Sequence, residues 1–154
     1  DPRTAKVTTA DEVLPGIEWL RQDVDILIPA ALENQIMPDI CAEISPRVKI
    51  ICEAANGPTT PDCDPILNDR GVIVLPDFLC NAGGVTCSYF EQVQCNMNYF
   101  WSKEEVLSKL EYTMSNAFAA VNEMAQKKKL CLRDAAYVIA INRVANAVKL
   151  RGWV

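Results

Sequence analysis

The sequence predicts an α/β fold: a parallel sheet with helices in its crossovers, followed by closing helices. Three observations predict it. Short runs rich in valine and isoleucine, "VDILIPA", "VKIICEA" and "VIVLPDF", begin at Val24, Val48 and Val72. They recur every 24 residues, which leaves room for one helix in each gap and favours parallel strands over hairpins. After residue 78 the short runs give way to apolar positions at helical spacing.

Taken in chain order, Thr9 and Glu12 have capping-box spacing for a short helix that Pro15-Gly16 interrupts. Strands follow near 24–29, 48–53 and 72–77, each nearly continuous in apolar residues, the pattern of burial on both faces. Between the first two, Pro38 is suited to the first position of a helix over "DICAEI". Thr60-Pro61-Asp62 opens the next helix, with Asp64 as cap and Pro65 first inside as the alternative start. Gly71 ends that helix in a left-handed stop. Ser102 and Glu105 form a second capping box, ahead of Leu107, Leu110, Met114, Ala117, Val121 and Met124 on one face. Lys127, Lys128 and Lys129 close that helix, where cations suit its dipole. The last helix, Arg133 to Lys149, is apolar nearly all round except for Asn142, Asn146 and Lys149. Such a helix is expected to be buried on several sides, by partners that include chain not present here. The intervening sequences share no template and the period stops after three units, so the repeat is not a solenoid.

Bulk properties narrow the function classes. At 154 residues, 50% apolar and 23% charged, the chain is long enough for one ordinary domain with a real core. A net charge of −5 argues against a general nucleic-acid binder. No apolar run approaches a membrane span and no signal-peptide pattern is present, so neither membrane nor nucleic-acid partners are expected. The first residue is Asp1, which suggests a piece of something longer. With 7 cysteines, no C-x-x-C and no histidine, a histidine-containing zinc site and a Cys-His or Ser-His nucleophile are excluded. No metal site is expected, and the cysteines read as reduced, packed thiols in a cytoplasmic protein.

Ligands of open parallel sheets bind outside the carboxyl ends of the strands. Those ends read "PAALENQ" (Pro29 to Gln35), "AANGPTT" (Ala54 to Thr60) and "CNAGGVT" (Cys80 to Thr86). All three combine small residues, which let a ligand approach the backbone, with amides that both donate and accept hydrogen bonds. Together they read as three binding loops along one sheet edge. No G-x-G-x-x-G follows a strand, and no acidic residue lies about 20 residues beyond one. A dinucleotide fold here is therefore the second mononucleotide half, without the half that carries the pyrophosphate.

Four segments in order, "DILIPAALENQI", "EAANGPTTPDCDPIL", "VLPDFLCNAGGVTCSYFEQVQ" and "AAYVIAINRVANAVKLRG", resemble the C-terminal part of the glutamate, leucine, phenylalanine and valine dehydrogenase family. The resemblance covers nearly the whole chain from Val24 onward but only about the last third of such an enzyme. It implies the second half of a Rossmann-like, doubly wound parallel sheet followed by C-terminal helices. Residues 1–100 would form a partial dinucleotide-binding domain, and residues 101–154 helices packing on it and on an absent N-terminal domain. The implied reaction is NAD- or NADP-dependent oxidative deamination of L-glutamate to 2-oxoglutarate and ammonia. The resemblance places Ala30 and Ala31 near the adenine-side ribose, with Gln35 a further neighbour, and Asn56 and Asn81 toward the nicotinamide and its ribose. Val85 would line the substrate cleft and Ser88 would donate to a substrate carboxylate. Ser88 favours glutamate, because burying a second carboxylate without a polar partner is costly and relatives acting on leucine look apolar there.

The pattern also has departures: Ala54 where the family often has glycine, Gln92 where an aromatic is common, and Pro65 in its helix. The family's catalytic lysine and its aspartate partner belong to a glycine-lysine motif and an N-terminal domain absent here, so this chain carries no catalytic residue of its own and is expected to be inactive alone. A hexameric homo-oligomer is implied. The alternatives are a relative acting on a branched or aromatic amino acid, and a non-catalytic interaction module.

Overall fold

The computed structural model describes residues 16–152. The capping box at Thr9 and Glu12, and Pro15, lie outside the described residues. After a 3-10 turn over Glu18–Arg21, the order is β1 (Ile26–Leu27), α1 (Pro38–Cys41), β2 (Ile50–Cys52), α2 (Cys63–Asp69), β3 (Ile73–Leu75), α3 (Asp77–Cys80), α4 (Ala82–Met97), α5 (Lys103–Lys128) and α6 (Leu132–Leu150). The three strands form one parallel sheet in the order β1-β2-β3. Each strand lies within its predicted run, trimmed at both ends. Consecutive strands are neighbours joined through a helix, as a half of a Rossmann-like sheet requires. Among the described residues no helix is long and apolar enough to cross a membrane.

The register explains the near-continuous apolar runs and corrects one expectation drawn from them. Leu27, Ile51 and Val74 stand side by side across the sheet and are buried. They face a core completed by Leu20, Ile36, Cys41, Ile44 and Leu67. The adjacent row, Ile26, Ile50 and Ile73, points to the opposite face. There Ile26 is 50% exposed and Ile73 52% exposed. The sequence pattern is two-sided, but among the described residues the second face is only partly covered, with Ile50 half-buried between them.

Local chemistry sets the helix boundaries. Pro38 begins α1, where its missing N–H has no intrahelical partner to lose. The second helix starts after Asp62, not Asp64, so Pro65 lies at its third position. A proline is tolerated there because the N–H groups of the first turn have no carbonyl to bond within the helix. Gly71, at φ +73°, ends α2 with its N–H donating to the Asn68 carbonyl at 2.9 Å. The Arg70 guanidinium donates back to the carbonyls of Cys41 (3.0 Å), Ile44 (2.8 Å) and Ser45 (3.2 Å), fastening α2 to the end of α1. The Ser102 hydroxyl accepts from Glu105 N at 3.2 Å, and the Glu105 carboxylate accepts from Ser102 N at 2.9 Å. That reciprocal pair starts α5 as the spacing predicts. Lys127 and Lys128 occupy its last turn, and Lys129 stops it in the left-handed conformation at φ +55°.

Six of the seven cysteines are buried or half-buried, matching their reading as packed thiols. All seven are free, and Cys95 is the exposed one. Burial, reinforced by Cys63 alongside, pushes the Cys41 thiol up to about 11.

The helical part has a second, smaller core of Leu79, Val121, Ala125, Ala135 and Ala136. A buried ion cluster fastens it to the sheet. Arg133, in the first turn of α6, is 8% exposed, and Glu53, just past β2, is fully buried. The Arg133 guanidinium donates to Glu53 at 2.8 Å and to both oxygens of Asp64 at 2.7 and 3.3 Å. It also lies 3.7 Å from Asp77. Burial works to lower the pKa of this arginine, but its hydrogen bonds to Glu53 and Asp64 outweigh it and the net shift is upward. One side chain thus holds α6 to the end of β2, to α2 and to α3. The rest of α6 is much less covered: Ile141 and Val144 are each 64% exposed, so the expected burial on several sides is not met among the described residues.

Two outcomes follow. Ser102→Ala is expected to destabilise by about 1 kcal/mol in a urea titration. The hydrogen bonds from Ser102 hold the Glu105 carboxyl below its ordinary range, so this carboxylate's contribution is complete above that range and is lost as pH falls through the lowered folded value. Arg133→Met leaves Glu53 buried without its cation and is expected to cost about 3–5 kcal/mol. Arg143→Met, at an exposed position of the same helix, serves as the control and should change stability by less than about 0.5 kcal/mol.

Candidate functional site

The carboxyl ends of the three strands are laced together by main-chain hydrogen bonds before any side chain contributes. The Pro29 carbonyl accepts from Ala54 N at 3.0 Å and Ala55 N at 2.9 Å. The Gly57 carbonyl accepts from Asn34 N, and the Pro58 carbonyl from Gln35 N, each at 2.8 Å. An isolated parallel bridge joins Ile36 and Thr59. Two residues in this lacing have left-handed backbones, Gly57 at φ +55° and Asn34 at φ +54°. Glycine and asparagine are the residue types that adopt that conformation most readily.

The third segment differs from its sequence reading. "CNAGGVT" is not a loop: Cys80 ends α3, Asn81 is a one-residue joint, and α4 begins at Ala82. Gly83 and Gly84 lie inside α4 with ordinary helical backbones and make no glycine turn. The kink at Asn81, φ −93° and ψ 3°, breaks the helix and turns its side chain toward the second loop. There the Asn81 amide donates to Asn56 Oδ1 at 2.7 Å and to the Ala55 carbonyl at 3.3 Å.

This arrangement opens a cleft of about 630 Å³ lined by Ala31, Glu33, Ala54, Ala55, Asn56, Asn81 and Val85. Four of the seven residues singled out from the sequence therefore meet in one place: Ala31, Asn56, Asn81 and Val85. Ala30 and Gln35 instead line an adjoining, more apolar hollow of about 420 Å³ with Trp19, Ile28 and Pro29, and Ala31 borders both. The Gln35 amide is turned back on its own loop, donating to the Glu33 carbonyl at 3.1 Å. Ser88 lines neither cavity. It lies on α4 one turn beyond Val85, exposed, and its hydroxyl makes no hydrogen bond among the described residues.

The chemistry of the cleft is that of a binding surface. Three alanines leave its backbone open to close approach, and the amide pair is half used. Once Asn81 has donated to Asn56, the Asn56 NH₂ and the Asn81 carbonyl remain for a ligand. Glu33 adds one carboxylate to the rim. Among the described residues no cluster of histidine, cysteine or acidic side chains could hold a metal ion. Burial raises the pKa of the Cys80 thiol, next to Asn81, and Cys52 beside it reinforces the shift. Neither thiol is poised as a nucleophile.

Sequence reasoning passed over Glu53, Asp77 and Arg133, which stand behind the cleft. Their signal was present. Glu53 is an acid at the end of an otherwise apolar strand read as buried, and a buried charge demands a partner. Arg133 opens a helix that is apolar nearly all round. What the sequence did not supply was their pairing, across 80 residues of chain.

The chain has relatives among known proteins. Residues 2–152 match the family model for glutamate/leucine/phenylalanine/valine dehydrogenases. An NAD-specific glutamate dehydrogenase of Clostridioides difficile is 49% identical over 136 residues, 88% of this chain and 32% of that protein. The NAD-specific glutamate dehydrogenase of Staphylococcus aureus strain COL is 48% identical over 143 residues, 93% of this chain and 34% of that protein. Among solved structures, the leucine-bound hetero-hexameric glutamate dehydrogenase of Thermus thermophilus superposes with a TM-score of 0.88 at 30% identity, over 97% of this chain and 35% of that one. Glutamate dehydrogenase from Peptoniphilus asaccharolyticus gives 0.76 at 45% identity, over 82% and 32%. The chain thus spans about a third of the length of the curated relatives it matches. On this evidence the chain belongs to the glutamate, leucine, phenylalanine and valine dehydrogenase family.

Proposed function

We propose that this chain supplies the nicotinamide-side half of the cofactor site, and part of the amino-acid site, of an NAD-dependent glutamate dehydrogenase. The observation that carries the reading is the Asn56–Asn81 amide pair, 2.7 Å apart across the carboxyl edge of a parallel sheet. Its free NH₂ and free carbonyl complement a carboxamide or a pair of ribose hydroxyls, and the alanines beside it give a flat ring room. The NAD-specific relatives at 48–49% identity support NAD over NADP as the cofactor.

When bound, the nicotinamide cofactor supplies the hydride acceptor for oxidative deamination of L-glutamate to 2-oxoglutarate and ammonia. The chain's own residues bind and orient. Asn56 and Asn81 fix the carboxamide end, Ala30, Ala31 and Gln35 flank the adenine-side ribose, and Val85 closes the apolar side of the cleft against water. Ser88, one turn further along α4, donates to the substrate's distal carboxylate. Proton transfer and polarisation of the carbonyl and imine need a lysine and a carboxylate, and we assign these to an N-terminal domain of the complete polypeptide. In this reading residues 1–100 belong to the cofactor domain, residues 101–154 pack between it and the N-terminal domain, and the complete protein assembles as a hexamer in the cytoplasm.

Two measurements test the reading. The complete polypeptide is expected to reduce NAD with glutamate, whereas the purified 154-residue chain yields no NADH; turnover by the chain alone would overturn the division of labour. Ser88→Ala is expected to lower kcat/KM for glutamate roughly 10- to 100-fold, the value of about 1.5–3 kcal/mol for a hydrogen bond to a charged group. Turnover of leucine should not fall with it. An unchanged glutamate kcat/KM would remove Ser88 from the substrate site.

A further inference from the structure

We infer that Asp77, which lines no part of the cofactor cleft, is the positioning residue that sets the Asn56–Asn81 amide pair; the inference rests on the dehydrogenase reading above. Its Oδ2 accepts from the Gly57 N–H at 2.8 Å, fixing the peptide next to Asn56. Its main-chain carbonyl accepts from the Asn81 N–H at 2.8 Å, fixing the joint that aims the other amide. One residue therefore grips both members of the pair from behind. Gly57 passes the constraint on, since its own carbonyl accepts from Asn34 N at 2.8 Å in the first loop.

Asp77 is in turn held firmly. Its backbone N–H donates at 2.8 Å to Glu53, which is fully buried, and its Oδ1 lies 3.7 Å from the Arg133 guanidinium. Space alone does not require a glycine at position 57, because a Cβ there would meet nothing within 4 Å. The requirement is the left-handed backbone at φ +55°, which glycine enters freely and can as freely leave, so an external hold on its peptide defines the loop. The Asp77 carboxylate provides that hold. A misplaced amide donor or acceptor at a cofactor costs far more in rate than in stability.

The test contrasts two conservative substitutions in the complete polypeptide. Asp77→Asn loses the charge but keeps a carbonyl where the Gly57 N–H needs an acceptor. Asp77→Glu keeps the charge but moves the carboxylate by a methylene. Positioning predicts that D77N stays within about twofold of the native KM for NAD, while D77E raises it about tenfold. KM for glutamate changes less than twofold in both, and only D77N loses heat stability. Amide hydrogen exchange supplies a readout independent of turnover: the Gly57 N–H exchanges faster in D77E and at the native rate in D77N. The reverse order, D77E native-like and D77N impaired, would show that the charge facing Arg133 is what counts and would overturn the proposal. So would equal KM and equal Gly57 exchange in both variants. A native polypeptide that neither binds nor reduces NAD sinks the dehydrogenase reading, while the Gly57 exchange contrast still decides whether Asp77 holds the loop.

Discussion

A buried guanidinium with nowhere to go but its carboxylates is the constraint on which this structure turns. Arg133 touches Glu53 and Asp64 and approaches Asp77 at distances of 2.7 to 3.7 Å, and Glu53 has no exposure at all. Such an arrangement is weak evidence for stability, because an apolar replacement of the whole cluster would avoid its desolvation cost. What it confers is geometry. An apolar contact can slide by an ångström with little penalty, whereas a buried charge pair cannot separate without leaving a charge unsolvated. The cluster therefore fixes where α6 meets the sheet, and fixes it at the strand ends.

The apolar surfaces are handled less completely. Leu27, Ile51 and Val74 have their core, but Ile26, Ile50 and Ile73 form a row in register with half-exposed ends. The far half of α6 presents Ile141 and Val144 in the same way. Both features were written in the sequence, as strands apolar at consecutive positions and as a helix apolar nearly all round. The hydrophobic pattern records every face that is to be buried, whatever buries it. For this reason strand positions, parallel sense, the start of α1, the Gly71 stop and the Ser102 cap were all legible from residues alone. Each depends on local chemistry or on alternation along a few residues.

The candidate cleft was legible in four of its lining residues and less so in its form. Small residues and amides at the strand ends pointed to the edge, and Ala31, Asn56, Asn81 and Val85 do share one cleft. The third segment was misread, because a glycine pair after a strand has the composition of a turn, while here both glycines run through a helix. Helix propensity costs glycine only about 1 kcal/mol, and packing between α4 and α5 is enough to override it. Asp64 as a cap was misjudged for a related reason: Pro65 is equally acceptable at any position of a first turn, so it does not mark which residue precedes the helix. Glu53 and Arg133 were unreadable as a pair since no local rule links residues 80 apart.

These levels are joined by short, strong contacts rather than by distance. The buried cation holds Glu53 and lies against Asp77, Glu53 holds the Asp77 main chain, and Asp77 holds the Gly57 and Asn81 peptides. Apart from the 3.7 Å approach of Arg133 to Asp77, each link is a hydrogen bond of 2.8 Å. Beyond them the Asn56–Asn81 contact, at 2.7 Å, is made by two uncharged side chains open to solvent, which on their own would sample several rotamers. An exposed amide pair becomes a defined surface only when the backbone beneath it cannot move. The segment "CNAGGVT" draws attention to its glycines, yet the group that gives the edge its shape is the carboxylate three residues earlier, and the charge that steadies it comes from the other end of the chain.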